Sequence, residues 1–138
     1  MEENKENRED AENRFRRGGF PVFPLRTEDG TELASECRTA AGFFQRFLGL
    51  MMLGKKDFPA GSALVFPACS SIHMCFMRMP IDVVYTDRNF TVTKTVRNLK
   101  PWRFSFGGRD THYTFELPAG SVPESTVPGT VLVPDTEK

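Results

Sequence analysis

The chain lacks several features that would have assigned it quickly. In its 138 residues no uninterrupted apolar run approaches the roughly 18 residues of a membrane span, so no transmembrane segment is expected. It also lacks net charge. Eighteen Lys and Arg balance eighteen Asp and Glu, so no whole-molecule field draws in nucleic acid or an anionic bilayer, and no nucleic-acid partner is expected. Cysteine is scarce: the three residues, Cys37, Cys69 and Cys75, cannot all pair within one chain. The N-terminal Met1-Glu2-Glu3-Asn4-Lys5 leads into no apolar stretch and does not read as a secretory signal. Reduced thiols and a cytoplasmic location are the expectation. Gly18-Gly19 and Gly107-Gly108 lack the glycine spacing and the following Lys of a phosphate loop. Ser62, Ser70, Ser71 and Ser105 stand in no nucleophile-elbow context. No cofactor is expected.

What the chain does have is large apolar side chains, thirteen of them Phe, too many for a disordered protein. They are absent from the N-terminus. Residues 1–17 hold six acids and five bases, with Phe15 as the single large apolar residue. Such a stretch cannot offset its ordering entropy by burial, and residues 1–18 read as a charged tail. Residues 19–138 read as one β-rich domain.

Within the domain, Phe20 to Arg26 and Glu32 to Arg38 flank the turn signal Asp29-Gly30 and predict a hairpin. Ala40 to Leu53 predicts a helix, because Phe43, Phe44, Phe47, Leu48, Leu50 and Met51 recur at three- and four-residue spacing. Gly42 and Gly49 weaken it by about 1 kcal/mol each, so a short or broken helix is expected. Beyond it the periodicity is that of strands. Ala63–Phe66, Ile81–Thr86, Phe90–Val96, His112–Leu117 and Thr130–Val133 follow one another with turn residues between them, and Ser70–Met77 is extended in character. The expected fold is mainly β, α+β at most: an antiparallel β-sandwich or partly open barrel with one short helix near the N-terminus.

The densest chemistry lies between Pro67 and Asp82, which include Cys69, His73, Cys75, Met77 and Arg78. Thioether, thiol and imidazole together suit a soft metal such as Cu(I), but Met and free Cys are ordinary core fillers. No Cys-x-x-Cys or His-x-x-x-His spacing supports zinc. No metal site is expected. Arg78 and Asp82 are charges in apolar surroundings, and Glu116 is embedded in Tyr113-Thr114-Phe115-Glu116-Leu117. Charges occupy such places when they are paired or used. The plainer reading is an Arg78–Asp82 or Arg78–Glu116 pair that fastens strands together. The sharper one is a polar pocket that His73 joins. A third feature is the alternation Trp102-Arg103-Phe104-Ser105-Phe106. It fits a strand packing its aromatic face, or an exposed row that stacks on a sugar, a base or a partner.

Several of these stretches resemble one family. Arg46-Phe47-Leu48-Gly49-Leu50-Met51, Ser71-Ile72-His73, the run Met77-Arg78-Met79-Pro80-Ile81-Asp82-Val83-Val84-Tyr85, Pro101-Trp102-Arg103 and Phe115-Glu116-Leu117-Pro118-Ala119-Gly120 match the domain-of-unknown-function 192 family in order and spacing. The match runs from about residue 36 to residue 134. The resemblance implies a compact, mostly β, sandwich-like fold with a small helical piece, and no established activity. It also implies that the positions of His73, Arg78, Asp82 and Glu116 belong together. The functional expectation is a non-enzymatic domain that binds a small polar ligand, such as a carbohydrate, or a protein partner. Its binding residues would be His73, Arg78, Asp82 and Glu116, with Trp102 and Arg103 at the rim. The alternatives are a hydrolase or isomerase using His73 with a carboxylate, and a structural or accessory protein.

Overall fold

Two short sequences set the local geometry of two hairpin turns. In a computed structural model, which describes residues 22–39, 58–74 and 79–135 and only the backbone of His73, Asp29 closes the first turn. Its carboxylate accepts from the Thr31 amide at 2.9 Å and from the Thr27 hydroxyl. Gly30 takes the positive φ of 91° that the turn demands. The Asp87 carboxylate does the same at the later turn, accepting from the amides of Asn89 at 2.8 Å and Thr91 at 3.0 Å. Phe90 there adopts a φ of 62°. That is an uncommon setting for a bulky residue, and it coincides with full burial of the ring and stacking on Tyr113 at 4.5 Å.

Nine strands result: β1 (Phe23–Thr27), β2 (Glu32–Thr39), β3 (Ser62–Pro67), β4 (Ser71–His73), β5 (Ile81–Thr86), β6 (Val92–Leu99), β7 (Phe104–Phe106), β8 (Tyr113–Pro118) and β9 (Leu132–Pro134). Seven form one sheet in the order β6-β5-β8-β3-β2-β1-β9, and β4 pairs with β7 as a separate ribbon. A bridge between Thr91 and Val131, with the Val92 amide donating to Thr130 O at 2.7 Å and the Leu132 amide to Phe90 O at 2.9 Å, draws the two edges of the large sheet toward each other. The sheet therefore curls into a half-barrel, and the fold is mainly β as expected.

One detail of the expectation is corrected. The sheet is not wholly antiparallel, because β2 and β3 pair in parallel, with Cys37 opposite Ala63 and Thr39 opposite Val65. Residues 40–61 separate these two strands, and parallel neighbours need a connection of that order. The helix expected over 40–53, the charged tail and Arg78 lie outside the described residues. Among the described residues there is no helix.

The curled sheet has two differently packed faces. Inside lie Leu25, Leu33, Cys37, Val65, Val84, Phe90, Tyr113, Phe115, Leu117 and Leu132, drawn from both ends of the strand order. The buried Cys37 thiol is free, and its surroundings raise its pKa strongly. On the outer face of β5 a second cluster forms from Phe58, Met74, Met79, Ile81, Val83 and Tyr85, with Leu64, Ile72, Val96 and Leu99 packed against it. Every residue of β5 is buried, as are Tyr113 to Leu117 of β8. These two central strands are covered on both sides, so a polar residue in either must find a partner or a purpose.

Candidate functional site

Two carboxylic acids occupy these doubly covered strands, and the strand register fixes where each points. Residues directly opposite in a ladder share a face. Asp82 of β5 is opposite Leu117 of β8, and Val83 is opposite Glu116. Leu117 belongs to the inner cluster and Val83 to the outer one. Asp82 therefore lines the inside of the half-barrel and Glu116 the outside. The structure does not bring these two expected site residues together.

Asp82 is 1% exposed and is fully engaged by backbone. One carboxylate oxygen accepts from the Asn98 amide at 2.9 Å, and the other accepts from the amides of Gly120 at 3.0 Å and Val122 at 3.1 Å. The register between β5 and β6 slips beside it, between Ile81 and Val83. A slip of this kind leaves an amide without a ladder partner, and the carboxylate supplies one. The same group also holds the turn after β8. Its hydrogen-bond donors among the described residues are backbone amides; the expected Arg78–Asp82 pair involves Arg78, which lies outside the described residues.

Glu116 is 7% exposed. It stands between Val83 on one side and Leu64 on the other. No hydrogen-bond donor among the described residues reaches its carboxyl. Burial pushes its pKa up to about 7, because an apolar environment penalises the charged form. Near it lies Tyr85, whose phenol is pushed up to about 12, chiefly by burial, and Tyr85 is also near Cys69, a free thiol. Cys69 is held in place by its own backbone: its carbonyl accepts from Thr114 Oγ1 at 2.6 Å, and Thr114 precedes Glu116 by two residues on the same face.

The β4–β7 ribbon adjoins this outer face. Ile72 and Ser105 are opposite each other in its ladder. Ile72 packs on the outer cluster, and Ser105 is buried. Three buried hydroxyl oxygens along the seam, Tyr85 Oη, Ser105 Oγ and Thr111 Oγ1, complete no hydrogen bond among the described groups. Ser105 does lie close enough to Tyr85 to oppose the burial effect on its phenol. The fit at the seam is tight. A Cβ at Gly107 would stand 2.4 Å from both Thr111 Oγ1 and Tyr85 Cδ1.

Trp102 and Arg103, expected at a rim, both lie at the surface. Trp102, 59% exposed, sits at a φ of 66°, its amide donating to Met74 O at 2.8 Å. Arg103 beside it is exposed and its carbonyl accepts from the Met74 amide at 2.8 Å. The plainer reading of the aromatic row, a strand packing its rings inward, is overturned: Phe104 and Phe106 are 64% and 66% exposed, and the small Ser105 points in. The reason is the room available, since Gly107 and Ser105 already bring the ribbon backbone onto Tyr85. His73 pairs through its backbone with Phe104, which places it in the ribbon. Of the expected set, then, Glu116, Trp102, Arg103 and the His73 backbone belong to the outer side of the molecule, and Asp82 belongs to the inner side. The contribution of Tyr85 was not visible in sequence, where Ile81–Thr86 reads as an ordinary strand.

The comparisons with known proteins agree with this fold and carry no activity. Residues 25–133 match the family model DUF192, described as Uncharacterized ACR. A UPF0127 protein of Pyrococcus furiosus is 35% identical over 104 residues, covering 71% of this chain and 84% of that protein. A UPF0127 protein of Pyrococcus horikoshii is 38% identical over 91 residues, covering 62% of this chain and 74% of that protein. A crystal structure of a protein of unknown function from Novosphingobium aromaticivorans superposes with a TM-score of 0.69 at 16% identity, over 83% of this chain and 86% of that one. That likeness is one of fold. With the family model spanning most of the sequence, and with curated relatives above 30% identity, the chain belongs to the DUF192 family of uncharacterised proteins.

Proposed function

We propose that this chain is a binding domain for a small, hydroxylated ligand of sugar-like chemistry, taken up along the seam between the β4–β7 ribbon and the outer face of the half-barrel. Glu116 is the acceptor at the floor, Trp102 and Arg103 form the rim, and His73 and Arg78 complete the set on their sequence positions. Asp82 takes no part, because its oxygens are already occupied by three amides. The observation that carries the reading is Glu116: a buried carboxyl in an apolar wall, raised to about 7 by burial, with no donor among the described residues. A ligand hydroxyl is a donor that such an acid accepts. Perturbed buried acids of this kind are enriched at functional sites.

A carboxyl that titrates near neutrality also suits proton transfer, which keeps a second reading in view, a hydrolase or isomerase pairing Glu116 with His73. One experiment addresses both. Thermal unfolding is followed with a panel of methyl glycosides and hexuronic acids, since a ligand that binds only the native state raises Tm. At least one class is expected to raise Tm, with Glu116→Gln and Trp102→Ala each removing the rise. No response to any class overturns the binding reading. Mass analysis of the glycosides after incubation decides the second one: intact glycosides exclude glycoside hydrolysis, and cleaved glycosides support it.

A further inference from the structure

The edges of a sheet are where a β protein leaves backbone groups unpaired, and most edges here are closed. The two ends of the large sheet meet through the Thr91–Val131 bridge. Further along β6, the Arg97 guanidinium donates to the carbonyls of Pro123 at 2.7 Å and Thr126 at 3.1 Å. At the outer edge of β4 the Ser71 carbonyl accepts from Cys69 Sγ at 3.1 Å. The outer edge of β7 differs. In the ribbon the Met74 amide donates to Arg103 O, and the Gly107 amide donates to Ser70 O. Ladder bonds alternate along an antiparallel pair. Arg103, Ser105 and Gly107 therefore turn their backbone groups toward β4, and Phe104 and Phe106 turn theirs away. Phe106 O accepts from Lys94 Nζ at 2.8 Å. The Phe104 amide, the Phe104 carbonyl and the Phe106 amide have no partner among the described residues.

This edge is also basic. Lys94 lies at its far end, with two ammonium donors to spare. Lys100 belongs to the short connection, residues 100–103, that leads from β6 into β7. Between Asp87 and Asp110 the sequence has six bases and no acid. Such an edge does not suit a second copy of itself, because pairing β7 with β7 would bring ammonium to ammonium. The acid-rich segment of another copy, residues 28–36 with Glu28, Asp29, Glu32 and Glu36, cannot serve as the added strand either. Its first two acids lie in a turn, and β2 is already paired on both sides by β1 and β3.

We propose that the outer edge of β7 takes up an extended acidic peptide of another protein as an added strand. Amides and a carbonyl at strand spacing recognise a peptide backbone. The amides of Phe104 and Phe106 donate to carbonyls of the peptide, and Phe104 O accepts from one of its amides. Two side chains of the added strand stand in line with the exposed rings of Phe104 and Phe106, about 6.7 Å apart, a place that suits β-branched residues. Acidic side chains meet Lys94 and Lys100. The site is apart from the seam and needs neither Trp102 nor Arg103. Thr114 Oγ1 on Cys69 O sets the β4 side of the ribbon over β8, whereas Lys94 on Phe106 O sets the β7 side over β6.

The test uses the intact chain and a labelled peptide with Val-Thr-Val-Thr-Val between paired Asp residues, followed by fluorescence anisotropy. Binding is expected, and with it a slowing of hydrogen exchange at the Phe104 and Phe106 amides by at least about tenfold, read by NMR. Phe106→Pro removes one outward donor, and proline is tolerated in an edge strand whose N–H faces solvent. It should weaken binding about fivefold. A peptide N-methylated throughout its Val-Thr run leaves the protein untouched and should bind at least about tenfold more weakly, because its backbone donors are gone. Replacing Asp by Asn in the peptide should weaken binding about fivefold. Absence of binding overturns the proposal. So does binding that leaves exchange at Phe104 and Phe106 unchanged, and so does full binding of the N-methylated peptide. Equal competition by an oligothymidylate of the same charge also overturns it, since the surface would then select for anions and not for a peptide backbone.

Discussion

Asp82 and Glu116 stand one ladder position apart on neighbouring central strands, both buried, both acidic. The inner one receives three backbone amides and becomes a fastener for the β5–β6 slip and for the turn after β8. The outer one receives no donor among the described residues and has its pKa pushed up to about 7. The chemical type of the group is nearly the same, and the difference lies in what faces it. The same contrast holds for the two sides of the half-barrel as wholes. The inner cluster is built mostly of aliphatic side chains and rings, whereas the seam on the outer side gathers a protonatable acid, exposed rings and three hydroxyls that complete no hydrogen bond among the described groups. A buried charge in a strand is thus no guide to function until its donors are known.

Removing the fastener should have the largest effect. Asp82→Ala leaves three amides without their acceptor, and a loss of about 4 kcal/mol is expected in urea unfolding. A loss under about 1 kcal/mol would mean that the amides find other partners and that the contrast is overstated.

The outer carboxyl should show itself through pH. Glu116 in the native chain keeps its proton up to about pH 7, while its ordinary value is 4.5. Between these values the native state binds more protons than the unfolded one, so stability falls as pH rises through that window and levels off above it. The fall should total about 3 kcal/mol. Glu116→Gln should flatten the profile, and an unchanged slope would contradict the assignment. Next in size is the seam itself. Gly107→Ala places a methyl group against Thr111 and the Tyr85 ring and should cost about 2 kcal/mol by overpacking. The smallest effect belongs to the ribbon surface: Phe104→Ser should change stability by less than about 0.5 kcal/mol, since its ring is already in solvent.

Much of the fold can be read from local chemistry. The Asp29-Gly30 and Asp87-Arg88-Asn89 turns are stated in the residues themselves, and the strand expected over Ile81–Thr86 is found with those limits. The parallel β2–β3 pair is harder, because a strand's partner is a non-local choice. Yet a helix expected between two strands was itself a hint of a crossover connection. The site residues were found as candidates but not as an arrangement. Alternation along Trp102-Arg103-Phe104-Ser105-Phe106 identifies a strand with two faces, yet it does not say which face is wet. Asp82 follows Pro80 closely, so no parity could be carried to it from His73. Only the register opposite β8 separates it from Glu116. What sequence could not supply, in each instance, was the identity of the neighbour across the ladder.

The most direct measurement is an NMR titration of the Glu116 side-chain carboxyl in the intact protein, assigned by its loss in Glu116→Gln. A midpoint near 7 is the predicted result. A midpoint at or below the ordinary 4.5 would show a satisfied carboxylate, and would contradict the view that the outer face of β8 holds an acid whose pKa burial raises.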